Sequence, residues 1–222
     1  MTRAVLFDLD GTLTDPKAGI TRSIQHALRK RGRPVPHADA LEAFIGPPLE
    51  HSFRTHFAMS EADARQAVED YREYFAERGL YENALYPAIP ELLAELRAAG
   101  LRLALATSKP TVFAERILTH FGLASHFECV VGSFLDGRRV EKSEVIADAL
   151  AALPDVARAR ALHVGDRRHD VAGARANGIG AIAVGWGYGT RAELVEAGPQ
   201  ALVESVPALR RLLLVDLLEL AV

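Results

Sequence analysis

The chain has 222 residues, 49% of them hydrophobic, which is enough for one large domain or for a core with a small second one. A formal charge of -3 leaves no basic footprint for a nucleic-acid polymer. The single cysteine, Cys129, cannot form an internal disulfide, which suits the reducing cytoplasm.

The first element is Val5-Leu6-Phe7, a short apolar run that reads as a strand buried on both faces of a parallel sheet. Ligands of open α/β sheets bind outside the carboxyl ends of the strands, and there stand Asp8 and Asp10. Residues two apart on a strand share a face, so the two carboxyls start near each other, and Gly11 then lets the backbone turn. Carboxylates this close repel unless a cation lies between them, and a hard ion such as Mg2+ is the simplest remedy. No signal peptide is expected, because the same two acids interrupt the first apolar run.

From Ala18 to Arg31 apolar or small residues recur at helical spacing, and Gly32 closes the helix. A proline-marked link leads to Ala40–Phe44 and the loop Ile45-Gly46-Pro47-Pro48-Leu49. Ser60-Glu61-Ala62-Asp63 looks like a capping box opening a helix from Glu61 to Arg78. Nothing from 17 to 80 reads as a strand, so residues 16–85 are expected to form an inserted all-helical cap, with 1–15 and 86–222 as the core.

The α/β rhythm resumes at Pro87. Helices are expected at Pro87–Ala99, from Pro110 to Gly122, at Ser143–Leu153 and at Asp170–Ala176, with strands at Leu101–Ala106, Phe127–Val131, Ala161–Val164 and Ala181–Val184. Strands alternating with helices predict an α/β fold, a doubly wound parallel sheet of Rossmann-like kind. The apolar end, Leu209–Val222, carries Arg210, Arg211, Asp216 and Glu219, is too short to span a bilayer, and reads as a packed helix. No membrane association is expected.

Three further stretches can carry chemistry. Thr107 and Ser108 lie where a helix is expected to begin, a plausible phosphate seat, although either could simply cap that helix. Lys142 is one of only four lysines among 26 basic side chains, two of which, Lys109 and Lys142, fall beside strand ends. Its loop suggests an exposed side chain, and a cation at a helix N-terminus favours a nearby anion. Asp166 follows the fourth strand at the same edge as Asp8, with Asp170 four residues later; His169 reads as a surface residue.

Together, Asp8-Leu9-Asp10-Gly11-Thr12, Thr107-Ser108, Lys142 and Gly165-Asp166 resemble the motifs of the haloacid dehalogenase superfamily in its phosphatase form. Gly165–Gly178 followed by Gly185-Trp186-Gly187-Tyr188-Gly189 is closest to the phosphoglycolate phosphatase and 5'-nucleotidase-like branch, although Pro16 stands where many relatives have Ser. The resemblance implies that Asp8 attacks phosphorus and Asp10 is acid/base, that Thr107, Ser108, Lys142 and Gly11 bind phosphate, and that Asp8, the Asp10 carbonyl and Asp166 hold Mg2+. It further implies Asp170 as an acid behind them, Ile45, Gly46, Pro47, Pro48 and Leu49 as the substrate-facing loop, and Arg139 as the alternative to Lys142, since many relatives have Lys-Pro rather than Lys142-Ser143. The expected activity is hydrolysis of a small phosphorylated metabolite, phosphoglycolate-like or nucleoside monophosphate-like, by a monomer or homodimer. Phosphomutases share these acids, and a non-catalytic phosphate-binding relative is the other alternative. Phosphorylated receiver domains lack the helical insertion.

Overall fold

A computed structural model describes residues 3–216. The chain divides into two compact units, one made of 1–13 and 85–222 and the other of 14–84.

The first unit is built on six parallel strands: β1 (Ala4–Phe7), β4 (Arg102–Pro110), β5 (Cys129–Ser133), β6 (Ala161–Gly165), β7 (Gly180–Val184) and β8 (Ala201–Val203). Their order is β5-β4-β1-β6-β7-β8, so β1 is central, flanked by β4 and β6. Phe7 is level with Leu105 on one side and with Val164 on the other. Asp8 therefore leaves the sheet at the height where β4 and β6 run on toward Thr107 and Asp166, and one carboxyl edge receives residues from three strands.

Alternation along β1 sends Ala4 and Leu6 to one face and Val5 and Phe7 to the other. All four are buried, as expected for strands covered on both sides. The first face is lined by small residues, Ala104, Ala106, Ala161, Ala181 and Ala183, which let α6 (Lys142–Ala151) and α7 (Arg168–Ala176) lie close to the sheet through Val145, Ile146, Val171 and Ala174. That closeness matters, because Lys142 and Asp170 ride on the first turns of these helices.

The second unit contains α1 (Lys17–Lys30), a 3-10 turn (Ala38–Phe44), α2 (Leu49–Phe57), α3 (Glu61–Tyr74) and a π-helical turn (Phe75–Gly79). Ser60 caps α3 by accepting the Asp63 N–H at 3.1 Å. Gly19 faces the Gly79 carbonyl so closely that a Cβ would lie 1.9 Å from it, which fixes α1 against the π turn. Short strands β2 (Thr14–Asp15) and β3 (Ala84–Leu85) form a two-stranded ribbon where the chain leaves and rejoins the α/β unit.

Several elements differ from expectation. Leu49 opens α2 instead of ending a loop, because Pro47-Pro48 stops the preceding chain and an N-terminal proline pair suits a helix start. The third core strand begins at Cys129, since a 3-10 turn over Ala124–His126 consumes the preceding residues. Strand β8 and α8 (Arg191–Ala197) were not expected, being short and weakly patterned, and α9 (Val206–Arg211) starts three residues before the helix expected from Leu209. α4 (Ile89–Ala98) and α5 (Thr111–His120) complete the core helices. The terminal helix expected at Leu209–Val222 is α9 plus a π turn to Asp216; its end, 217–222, lies outside the described residues. Among the described residues no helix is long and apolar enough to cross a membrane.

Candidate active site

Asp8 is the first residue past β1 and is tied to the neighbouring strand by its N–H, which donates to the Val164 carbonyl at 2.9 Å. Its carboxylate is buried, and the Lys142 ammonium lies 2.8 Å from Oδ1. Lys142 Nζ also lies 2.9 Å from Asp170 Oδ1 and donates to the Ala106 carbonyl at 3.3 Å, so the ammonium sits among three oxygens.

The expectation of an exposed Lys142 is therefore wrong. It is the first residue of α6 and is 6% exposed, because Gly173 of α7 gives its stem room; a Cβ there would sit 2.9 Å from Lys142 Cγ. Burial acts to lower the Lys142 pKa, but Asp170 and Asp8 outweigh it and raise it. Arg139, the alternative cation, is committed elsewhere. Its Nε donates to the Gly132 carbonyl at 2.8 Å, Nη1 pairs with Asp148, and its guanidinium stacks on Phe134.

Asp166 ends β6 and is 1% exposed. Oδ2 accepts the Tyr188 N–H at 2.7 Å, while Oδ1 is buried with no partner among the described residues. Three glycines press on it. A Cβ at Gly11 would lie 2.2 Å from Asp166 Oδ2, one at Gly187 2.4 Å from that oxygen, and one at Gly189 2.0 Å from the Asp166 carbonyl. Gly11 also has φ +78°, so the turn after the two aspartates requires glycine twice over. Burial first, then Asp170 and Asp8, push the Asp166 carboxyl well above its ordinary value. Asp8 is likewise raised by burial and Asp170, against the pull of Lys142.

Asp170 spends both oxygens within the protein. Oδ1 takes Lys142 and His163 Nε2, each at 2.9 Å, and Oδ2 accepts the Arg167 N–H at 3.0 Å. Burial would raise this carboxyl, but Lys142 and His163 together hold it below the usual carboxylate range.

Thr107 and Ser108 do not lie at a helix start: α5 begins at Thr111, after an irregular register between Ala106 and Pro110. Thr107 is buried and its hydroxyl accepts the Lys109 N–H at 3.3 Å; the Ser108 hydroxyl donates to the Val140 carbonyl at 3.2 Å. Lys109 Nζ lies 2.8 Å from Asp10 Oδ2. Ile45, Gly46, Pro47, Pro48 and Leu49 belong to the helical unit.

Residues 5–184 match the haloacid dehalogenase-like hydrolase family. The chain belongs to that family. It is 47% identical over 209 residues to a protein of Pseudomonas aeruginosa named 5'-nucleotidase, covering 94% of each chain. It is also 47% identical over 192 residues to a Mycobacterium tuberculosis protein named tyrosine-protein kinase PtkA, covering 86% of this chain and 65% of that one. Among solved structures, a predicted phosphatase from Clostridium acetobutylicum superposes with a TM-score of 0.91 at 42% identity, covering 99% of this chain and all of that one.

A haloacid dehalogenase-like hydrolase with these donors suits a hard divalent cation. Asp8, Asp166 and Asp170 each bring a ligand atom within 4.8 Å of the others, and the unpartnered Asp166 Oδ1 is an oxygen that positive charge would satisfy. Asp170, with both oxygens engaged, has the contacts of a residue that orients its neighbours. Sequence reasoning missed His163, Lys109, Trp186 and Tyr188 as parts of this centre. For His163 the signal was a histidine inside an otherwise apolar strand, and for Lys109 the scarcity of lysine. Trp186 and Tyr188 stood in a glycine-rich stretch noted only for its resemblance, yet the Trp186 Nε1–H donates to the Thr12 carbonyl at 3.2 Å and its ring packs edge-on to Tyr86.

Proposed function

We propose that the chain is a Mg2+-dependent phosphoric monoester hydrolase acting on a small phosphorylated metabolite through an aspartyl phosphate on Asp8. The observation that carries this reading is the Asp8 carboxylate, buried at the carboxyl edge of the central strand with the Lys142 ammonium 2.8 Å away. A carboxylate so placed is a nucleophile whose charge, and that of an incoming phosphate, is offset by a fixed cation.

Asp8 attacks phosphorus as the ester oxygen departs, and Asp10 supplies that oxygen with a proton. In the second step Asp10 accepts a proton from the water that attacks the aspartyl phosphate, which restores Asp8 and releases phosphate. In this reading Thr107 and the backbone around Gly11 bind phosphate oxygens, and Ser108 contributes through its backbone, its hydroxyl donating to the Val140 carbonyl. Asp8, Asp166 and the Asp10 carbonyl would hold Mg2+, which supplies positive charge against the phosphate when bound. Asp170 keeps Lys142 in register with Asp8.

The likeness to a 5'-nucleotidase over nearly the whole chain supports a nucleoside monophosphate-like ester, with phosphoglycolate-like esters next. The likeness to a protein named a tyrosine kinase makes a second reading specific, in which a tyrosine hydroxyl, not water, receives the phosphoryl group. Phosphate release from a panel of nucleoside monophosphates, phosphoglycolate and sugar phosphates, with Mg2+ or with chelator, tests the first. Incubation with labelled ATP and a tyrosine peptide tests the second. Release of phosphate only with Mg2+, with an added phosphate on Asp8 by intact mass, is the expected result. Peptide phosphorylation without phosphate release reverses it.

A further inference from the structure

Beyond the nucleophile and its cation, we propose that Lys109 is the residue that positions Asp10, gripping one carboxylate oxygen so that the other is left to exchange the proton. The inference rests on the phosphatase reading above. Lys109 Nζ lies 2.8 Å from Asp10 Oδ2, with the two side chains 6% and 13% exposed, so the pair is shielded from most solvent screening. The second oxygen, Asp10 Oδ1, is buried and has no partner among the described residues. A carboxylate held at one end and bare at the other is oriented for a task.

The backbone beneath Lys109 is correspondingly fixed. Its N–H donates to the Thr107 hydroxyl, and its carbonyl is approached by Gly132 so closely that a Cβ there would sit 2.2 Å away. The residue type also fits. This chain uses arginine for most of its positive charge, and an arginine fork would engage both oxygens of Asp10, whereas an ammonium is a point charge that takes one.

In the reaction proposed here, the Asp10 proton passes to the ester oxygen as its bond to phosphorus breaks and the bond from phosphorus to Asp8 forms. The water proton returns to Asp10 in the second step, so Asp10 ends as it began. Displacing Asp10 therefore harms esters with poor leaving groups most.

Kinetics of wild type, Lys109→Met and Lys109→Arg with glycerol 2-phosphate and p-nitrophenyl phosphate test this, together with crystal structures of the wild type and Lys109→Met. The expected result is a loss in kcat on the order of 10²-fold for the alkyl ester in both variants, with KM little changed. The burst of nitrophenol should be much less affected, and Asp10 should be turned from its wild-type position in Lys109→Met. A nitrophenol burst slowed as much as alkyl-ester turnover, a change confined to KM, or full activity in Lys109→Arg overturns the positioning role. Wild type inactive on every phosphate ester sinks the phosphatase reading instead, and the Lys109→Met crystal structure still decides for Lys109, since an unmoved Asp10 refutes it.

Discussion

Lys142 and Asp170 form a buried ion pair, 2.9 Å between Nζ and Oδ1, that reaches Asp8 through the same ammonium. One cation thus neutralises two acids that burial alone would drive toward protonation. Lys142→Ala leaves both carboxylates without it. Removing one partner of a buried pair costs about 3–5 kcal/mol, so the variant should lose turnover and also a large part of its stability, read by urea unfolding in chelator. A variant as stable as wild type would mean that solvent reaches these acids.

Asp166 should contribute to the pH response of the metal-free protein. Burial, Asp170 and Asp8 hold its folded-state pKa above the ordinary 3.8. Such a group contributes its full stability below the unfolded pKa, and that contribution is lost as pH rises through the folded one. Asp8, also raised, has the same sign; Asp170, lowered, has the opposite sign, and its contribution is lost only in acid. In chelator, the melting temperature should therefore fall as pH rises above the ordinary carboxylate range. Asp166→Asn should flatten that fall and abolish stabilisation by added Mg2+. A slope identical to wild type would place the titration elsewhere.

The glycine loop after β7 offers a change that acts on the surroundings of Asp166. A Cβ on Gly187 would meet Asp166 and the Gly11 carbonyl at 2.4 Å, and neither can retreat cheaply. Gly187→Ala should destabilise by about 1–3 kcal/mol and weaken Mg2+ binding, measured by calorimetry on the purified protein. Unchanged Mg2+ affinity would show that Asp166 does not need this loop.

The two aspartates of the first turn should separate by leaving group. Asp8→Ala should abolish turnover of every ester, since nothing replaces the nucleophile. Asp10→Ala should lose ~10²- to 10⁴-fold on an alkyl phosphate, yet still release nitrophenol in a burst and accumulate phosphate on Asp8. Identical losses on both esters, with no trapped phosphoenzyme, would remove Asp10 from proton transfer.

What could be read in advance follows from range. The alternating strands, the helical insertion and the acids after β1 and β6 are local patterns, and each is complete within a few residues. The burial of Lys142 was not local: it depends on Gly173, some thirty positions on, and on two acids from other elements, Asp8 after β1 and Asp170 on α7. Thr107 was misplaced relative to its helix for a similar reason. The strand runs on to Pro110 because β5 and the Gly132 backbone hold it there, which residues 101–110 alone do not reveal. Tyr188 reaches Asp166 through its backbone N–H, and main-chain donors leave no mark on a sequence.

The central position of β1 has a consequence for synthesis. Four residues near the start of the chain pair with β4 on one side, but their other side waits for β6, made some 150 residues later. A chain still emerging, or a fragment ending before 161, leaves Ala4–Phe7 as an open apolar edge with Asp8 lacking its Val164 anchor, and open edges of this kind recruit strands from other molecules. Translation of the last third therefore closes the seam against self-association in the same event that first brings Asp166 to Asp8.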